Sequence, residues 1–403
     1  MRKRVVITGL GAVSAVGEGA EALWQATLEK RSGIDKIYFG AHESWQPIGA
    51  QIHSFVPEKY VTQKKSIKVM ARDIQLAVAA ASLAIDDAKV RSAEFSRDRF
   101  GVIVGSGVLN HEPDELAACV KKSLDTTGTL DLKKFGGDGL SFLFPLWLLK
   151  YLPNMSACHI SILFDLRGPN NSITTGASAG LQAVTEAARI IGRGDADLML
   201  AGGAESKLNP VGLAEYQILG VLSSADDPAK VGRPFESDGI IVGEGAGFLV
   251  LEELEHAQKR GASIYAEVTG IGSSSSKGRV TAMRSALKEA GIAPEEVSYL
   301  QASASGIPSD DAAEKAAITE VFNGASDRLP IGVSKTIVGF TGFASGALDL
   351  ILSAMILKTQ TIPPLAATNE RLLNVFVRHA MTNCFGFNGQ SISVILKNLG
   401  KGQ

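Results

Sequence analysis

Cysteine is scarce in this chain: three thiols, Cys119, Cys158 and Cys384, are spread over 403 residues. None of them falls in the short paired spacings of zinc sites or redox pairs, so a thiolate metal centre and a disulfide framework are excluded. Each is expected to be a small buried hydrophobe. An excess of either charge is also missing, since 40 basic and 42 acidic residues leave a formal net charge of -2. No basic field invites nucleic acid, and no acidic tail argues for disorder. Long apolar runs are lacking as well. The run from Leu140 to Leu152 is broken by Pro145 and Lys150 and falls short of the roughly 20 residues of a membrane helix. It reads as a buried helix, or as one that a partner covers. At the amino end Met1-Arg-Lys-Arg leads straight into Val5-Val-Ile-Thr-Gly, with no apolar signal core, so a cytoplasmic location is expected.

What is present is ample apolar material, 45% of the residues against 20% charged, enough for one large core or two fused ones. Val5-Val-Ile-Thr-Gly-Leu-Gly-Ala-Val-Ser is a β-branched run ending among glycines, and Tyr265-Ala-Glu-Val-Thr-Gly-Ile-Gly-Ser-Ser repeats the pattern far downstream. Two related halves follow from that repeat. Each continues with an alanine-rich amphipathic helix, Ile74 to Lys89 and Thr281 to Ala290. Further strands are predicted at Phe100-Gly-Val-Ile-Val-Gly, Leu198-Met-Leu-Ala-Gly-Gly, Tyr299-Leu-Gln-Ala and Ile331-Gly-Val-Ser. Strands alternating with helices, and reading as continuous apolar runs, predict an α/β fold with buried sheets.

The segment Ser172-Ile-Thr-Thr-Gly-Ala-Ser-Ala-Gly180, followed by the helical periodicity of Leu181-Gln-Ala-Val-Thr-Glu-Ala-Ala-Arg-Ile-Ile, predicts a strand, a tight turn and a helix start. Such a turn suits a nucleophile, because the free N–H groups of a helix start stabilise negative charge and lower the pKa of a thiol. Gly176-Ala-Ser178-Ala-Gly180 also matches G-x-S-x-G, the elbow of serine hydrolases, which would make Ser178 a nucleophile. That reading needs a later histidine. His256 stands in a charged helical stretch and is expected to be solvated, and His379 follows Arg378 near the carboxyl end.

Arg4-Val-Val-Ile-Thr-Gly-Leu-Gly-Ala-Val-Ser, Leu166-Arg-Gly-Pro-Asn, Gly202-Gly-Ala-Glu, Gly232-Arg-Pro-Phe-Glu-Ser-Asp-Gly-Ile-Ile-Val-Gly-Glu-Gly-Ala-Gly, Leu251-Glu-Glu-Leu-Glu-His-Ala and Asn383-Cys-Phe-Gly-Phe-Asn-Gly resemble β-ketoacyl synthases in order and spacing. The resemblance spans nearly the whole chain. It implies a thiolase-like αβαβα five-layered sandwich of two duplicated halves, residues 1–255 and 256–403, and a dimer. It also implies where a catalytic cysteine and two histidines should stand. Ala177 occupies the cysteine position. In Ala302-Ser-Ala-Ser-Gly-Ile-Pro308, Ser303 occupies the first histidine position, and in Lys335-Thr-Ile-Val-Gly-Phe, Phe340 occupies the second. Lys335 alone is retained. Asp311 and Glu314 fall near acidic positions of the family pattern and also read as helix amino-terminal charges.

Condensation needs a thiolate to hold the acyl chain and imidazole N–H groups to bind the thioester oxygen as the enolate forms. Alanine supplies no nucleophile and phenylalanine no donor. The triple replacement therefore resembles a chain length factor, the noncatalytic subunit that pairs with an active ketosynthase in type II polyketide or polyene synthesis and shapes the product tunnel. Better-known chain length factors carry glutamine at the cysteine position, where this chain has Ala177. The resemblance implies a ketosynthase partner in a heterodimer, an acyl carrier protein as a second partner, and no cofactor, metal, nucleic acid or membrane. It places Ser172, Ile173, Thr174 and Thr175 at the dimer interface, and Val108, Leu109, Asn110, Phe142 and Phe144 at the tunnel. Phe387 matches a gate position, and Lys64, Lys65, Lys68 and Arg72 match a carrier-docking surface, or form a merely solvated basic face. Two rival functions stay open: a serine hydrolase or acyltransferase using Ser178, and an acyl-binding scaffold.

Overall fold

The computed structural model describes residues 2–39, 46–91, 95–107, 111–228, 231, 235–276, 278–323, 328–364 and 375–400. Among the described residues the first half contributes five strands to the main sheet path: β1 (Val5–Ser14), β2 (Phe100–Gly105), β3 (Asn170–Ile173), β4 (Leu198–Glu205) and β5 (Gly245–Glu253). Five more come from the second: β6 (Ala266–Ser274), β7 (Tyr299–Gln301), β8 (Ile331–Gly332), β9 (His379–Phe385) and β10 (Ser391–Lys397). The first set runs in the order β1-β5-β4-β2-β3 and the second in the order β6-β10-β9-β7-β8. In both, the first three are antiparallel neighbours and the last three are parallel ones. The repeat seen at Val5 and Tyr265 is thus a repeat of whole topology. Val5 to Ile7 of β1 pair with Ala266 to Val268 of β6 and join the two sheets.

Six helices complete the layers: α1 (Arg72–Asp87), α2 (Met155–Phe164), α3 (Ala179–Arg193), α4 (Arg279–Ala290), α5 (Pro308–Phe322) and α6 (Ser345–Thr359). Helices α3 and α6 lie between the sheets. Leu181, Val184, Ala188 and Ile191 of α3 share one core with Leu348 and Ile351 of α6 and with Ile103, Met199 and Leu251 of the strands. Alternate strand residues face the other way, as a period of two requires: Val102, Val104, Leu200 and Val250 pack on α1 and α2. In the second half Leu300, Met381 and Ile395 pack on α4 and α5. The result is the expected five-layered αβαβα order. A central helix has no solvent side, and α6 accordingly buries every residue from Ser345 to Leu357. The stretch Gly342–Thr359 has the length and apolarity of a membrane span, but it is 89% buried, as a core helix must be.

One expectation is corrected. Leu140 to Leu152 is not a buried helix but two short 3-10 turns, Gly139–Phe142 and Trp147–Lys150, separated by a stretch containing Pro145. Leu140, Phe142, Phe144, Leu146 and Leu148 are all exposed there, an unusual concentration of apolar side chains in water for one short segment.

Candidate active site

After β3 the chain turns sharply at Gly176, whose φ of +68° belongs to the left-handed region, where glycine carries no steric penalty. A side chain there would also strike Asn388, whose Nδ2 would lie 2.8 Å from the added carbon. Asn388 holds the turn by donating to the Thr175 carbonyl at 3.1 Å. A 3-10 turn over Gly176–Ser178 then feeds α3. This strand, turn and helix start follow the predicted order, with Ala177 buried at the turn.

The surroundings of Ala177 are apolar. Phe340 is 4% exposed and shares a cluster with Ala177, Leu208, Leu213, Tyr216 and Ile307. Its ring meets Tyr216 edge-on with centroids 6.2 Å apart and lies tilted against Phe387 at 6.3 Å. Its backbone N–H donates to the Ile241 carbonyl at 2.7 Å. Phe340 thus occupies a pinned, packed position.

Ser303 is held as firmly, by polar contacts. Its hydroxyl accepts from the Phe385 N–H at 3.0 Å, and its own N–H donates to Glu314 at 2.9 Å. The second oxygen of Glu314 accepts from the Ala304 N–H at 2.8 Å. Burial pushes the Glu314 carboxyl up to about 7, against the pull of those two backbone donors. Asp311 accepts from Gly306 N–H and the Ser305 hydroxyl, each at 3.2 Å, and burial raises its pKa too. Both acids lie inside the protein and brace the loop after β7, and Asp311 also stands in the first turn of α5, as the helix-start reading had it.

Lys335 is buried and ion-paired to Asp349. Asp349 also accepts from the Ser334 hydroxyl at 2.5 Å and from the Gln301 amide at 3.0 Å, so this lysine is fixed inside a satisfied network.

The serine-hydrolase constellation does not assemble. Ser178 is fully buried, and its hydroxyl donates to the Thr175 carbonyl at 3.1 Å. His379 begins β9 and contacts the Glu296 carbonyl, whereas Cys384, five residues further along, is the residue that reaches the turn. At about 3.3 Å per residue that separation is roughly 16 Å. His256 pairs with buried Glu252 at 2.6 Å, so it is half-buried and engaged, unlike the solvated residue expected. The thiol nearest the turn is also inert: Cys384 donates to the Ala177 carbonyl at 3.5 Å, and burial pushes it up to about 12. Among the described residues no group of His, Cys, Asp and Glu could hold a metal ion.

The remaining candidates are scattered. Val108, Leu109 and Asn110 lie outside the described residues. Phe142 and Phe144 are each 48% exposed, with the Lys122 ammonium 5.4 Å from the Phe142 ring centre. Ser172, Ile173 and Thr175 are half-buried and Thr174 is exposed. They lie at or just beyond β3, the outermost strand of its sheet. Lys64, Lys65 and Lys68 are exposed on a 3-10 helix. Arg72 departs from that cluster, since it is paired with Glu244 and stacks on Phe55. Sequence reasoning missed Tyr216, which donates to buried Glu205 at 3.0 Å, because nothing local marks a residue whose partners arrive from other segments.

A family model described as "Beta-ketoacyl synthase, N-terminal domain" matches residues 2–257, and one described as "Beta-ketoacyl synthase, C-terminal domain" matches residues 257–369. The chain is 33% identical to 3-oxoacyl-[acyl-carrier-protein] synthase 2 of Coxiella burnetii, with 99% of each covered. Among solved structures it resembles a β-ketoacyl synthase from Burkholderia phymatum, with a TM-score of 0.83, 29% identity, and 99% of this chain and 100% of the other covered. It also resembles the ishigamide ketosynthase/chain length factor, with a TM-score of 0.82, 28% identity, and 99% and 100% covered. The chain belongs to the β-ketoacyl synthase family.

Proposed function

We propose that this chain is a noncatalytic ketosynthase-like subunit, a chain length factor, that pairs with an active ketosynthase and shapes the space receiving the growing acyl chain. The observation that carries the reading is Phe340, packed between Tyr216 and Phe387 over Ala177. At the three positions where the family resemblance expects a thiol and two imidazoles, this chain presents a methyl group, a hydroxyl engaged with the Phe385 N–H, and a phenyl ring. None of these can hold an acyl group as a thioester or donate to a thioester oxygen from an imidazole. The likeness to the ishigamide ketosynthase/chain length factor supports the same reading.

Under it, β3 supplies the dimer edge through Ser172 and Ile173, with Thr174 and Thr175 behind them. The open flank of an outermost strand presents unpaired backbone groups ready for another strand. Exposed Ile162 on neighbouring α2, and the apolar row from Leu140 to Leu148, provide surface for a partner to cover. Exposed Lys64, Lys65 and Lys68 would attract an acidic carrier protein.

The test is co-expression with an active ketosynthase of a type II system. Co-purification as a one-to-one complex, together with a changed product length relative to the ketosynthase alone, is the expected result. A chain that forms only homodimers and leaves product length untouched would overturn the reading. Condensation or malonyl decarboxylation by the purified chain alone would do the same.

A further inference from the structure

We infer that Phe343 is the end wall against which this subunit stops a chain grown on its partner. The inference rests on the pairing role just proposed and deepens it by naming the residue that sets length.

The backbone at Phe343 is fixed from three sides. Its N–H donates to buried Glu205 at 2.9 Å. Its carbonyl oxygen sits against Gly180 at the start of α3 and Gly203 of β4, where an added carbon would stand 2.2 and 2.3 Å away. The preceding Gly342 has a φ of +48°, and a side chain there would strike the Glu205 carboxylate. The backbone is thereby held, and the ring projects from it. It lies on Gly107, so closely that a carbon added to Gly107 would fall 2.1 Å from Cζ. The ring is 8% exposed, yet it belongs to none of the apolar clusters among the described residues.

The place matters because of what lies beside it. Ser106, immediately before Gly107, donates from its N–H to the carbonyl of Ile173, the last residue of β3. β3 is the open edge assigned to the partner, and neighbouring strands are about 4.8 Å apart. Gly107 continues β2, one strand spacing of about 4.8 Å behind that edge, and the ring covers it. The ring also stands beyond the carboxyl ends of parallel strands β2 and β3, the end at which open α/β sheets receive ligands. An acyl chain entering across the edge would meet an aromatic face carried on a backbone held by Glu205, Gly180 and Gly203.

The test uses full-length chain co-expressed with the ketosynthase it pairs with. Phe343→Leu and Phe343→Ala should shift the product distribution to longer chains by at least one two-carbon unit. Phe343→Trp should shift it to shorter ones. Size-exclusion chromatography establishes that the complex is intact, and mass spectrometry reads product length. Opposite shifts from smaller and larger side chains are a signature that general loosening would not produce. If every variant forms the complex and product length stays the same, the assignment of Phe343 fails while the pairing role stands. If the unaltered chain forms no complex with any ketosynthase, the pairing role fails and this inference with it. Should Phe343→Ala not fold, Phe343→Leu and Phe343→Trp decide the matter.

Discussion

The Cys384 thiol donates a hydrogen bond to the carbonyl oxygen of Ala177 at 3.5 Å, so the one sulfur near the turn faces its backbone. It is fully buried, and its pKa is pushed up to about 12, which leaves almost no thiolate at neutral pH. Restoring a thiol by Ala177→Cys should yield no acyl-enzyme and no malonyl decarboxylation above that of the parent, because Ser303 and Phe340 still stand at the two imidazole positions. Each absent oxyanion donor is worth about 2.7–4 kcal/mol, and neither Ser303 nor Phe340 replaces one. Intact-protein mass spectrometry after incubation with an acyl thioester gives the readout, with stoichiometric acylation at the introduced thiol as the contrary result. Iodoacetamide should modify Cys384 only after unfolding.

Phe340 is a buried ring packed against Tyr216 and Phe387, so its removal should cost stability. Phe340→Ala is expected to destabilise the fold by about 3–5 kcal/mol, the range for deleting a buried phenyl group. Phe340→Leu should lose less, since it keeps most of the contact with Tyr216 and Phe387. Denaturant midpoints with unchanged slopes would report the loss. A variant within about 1 kcal/mol of the parent would show that the ring is not a packed plug.

Much of the frame was legible in the sequence. The paired β-branched runs at Val5 and Tyr265 announced a duplication, because strands buried on both faces must be apolar throughout. The turn at Gly176 was legible from its small residues. Burial that depends on distant segments was not. Asp311 and Glu314 read equally well as helix-start charges, and only the loop of residues 302–306 folding over them puts them inside. Leu140 to Leu152 has core composition, and composition cannot separate a surface buried by the chain's own core from one left for a partner. Phe343, Glu205 and Tyr216 meet from three separate stretches, so no local pattern joins them.

Stability should fall as pH rises from about 5 to 8. Burial pushes both Glu314 and Asp73 up to about 7, well above the usual carboxylate range. A folded-state pKa above the unfolded one means that the folded protein binds more protons between the two values. The stabilisation is fully present below the unfolded pKa and is lost as pH climbs through the folded one. Thermal midpoints measured across that range should decline, and Asp73→Asn should flatten its share of the slope. A parent chain whose midpoint rises over the same interval would contradict the assignment.

The open flank of β3 offers a test of the proposed pairing that leaves the fold intact. The Ser172 N–H donates to the Asn171 side chain at 2.8 Å and not to a neighbouring strand. The inner contacts of this segment run through the Pro169 and Ile173 carbonyls, which accept from Val102 and Ser106. Proline at 172 removes an outward donor that within this chain reaches only the Asn171 side chain and that an incoming strand would need, and an outermost strand is where a sheet tolerates proline. Ser172→Pro should therefore keep the circular dichroism spectrum and thermal midpoint close to those of the parent, while co-purification with a ketosynthase drops at least tenfold, about 1.4 kcal/mol of association free energy. Substitution of exposed Thr174 by Ala serves as a control that keeps every backbone donor. Unimpaired pairing by a folded Ser172→Pro chain would remove β3 from the interface.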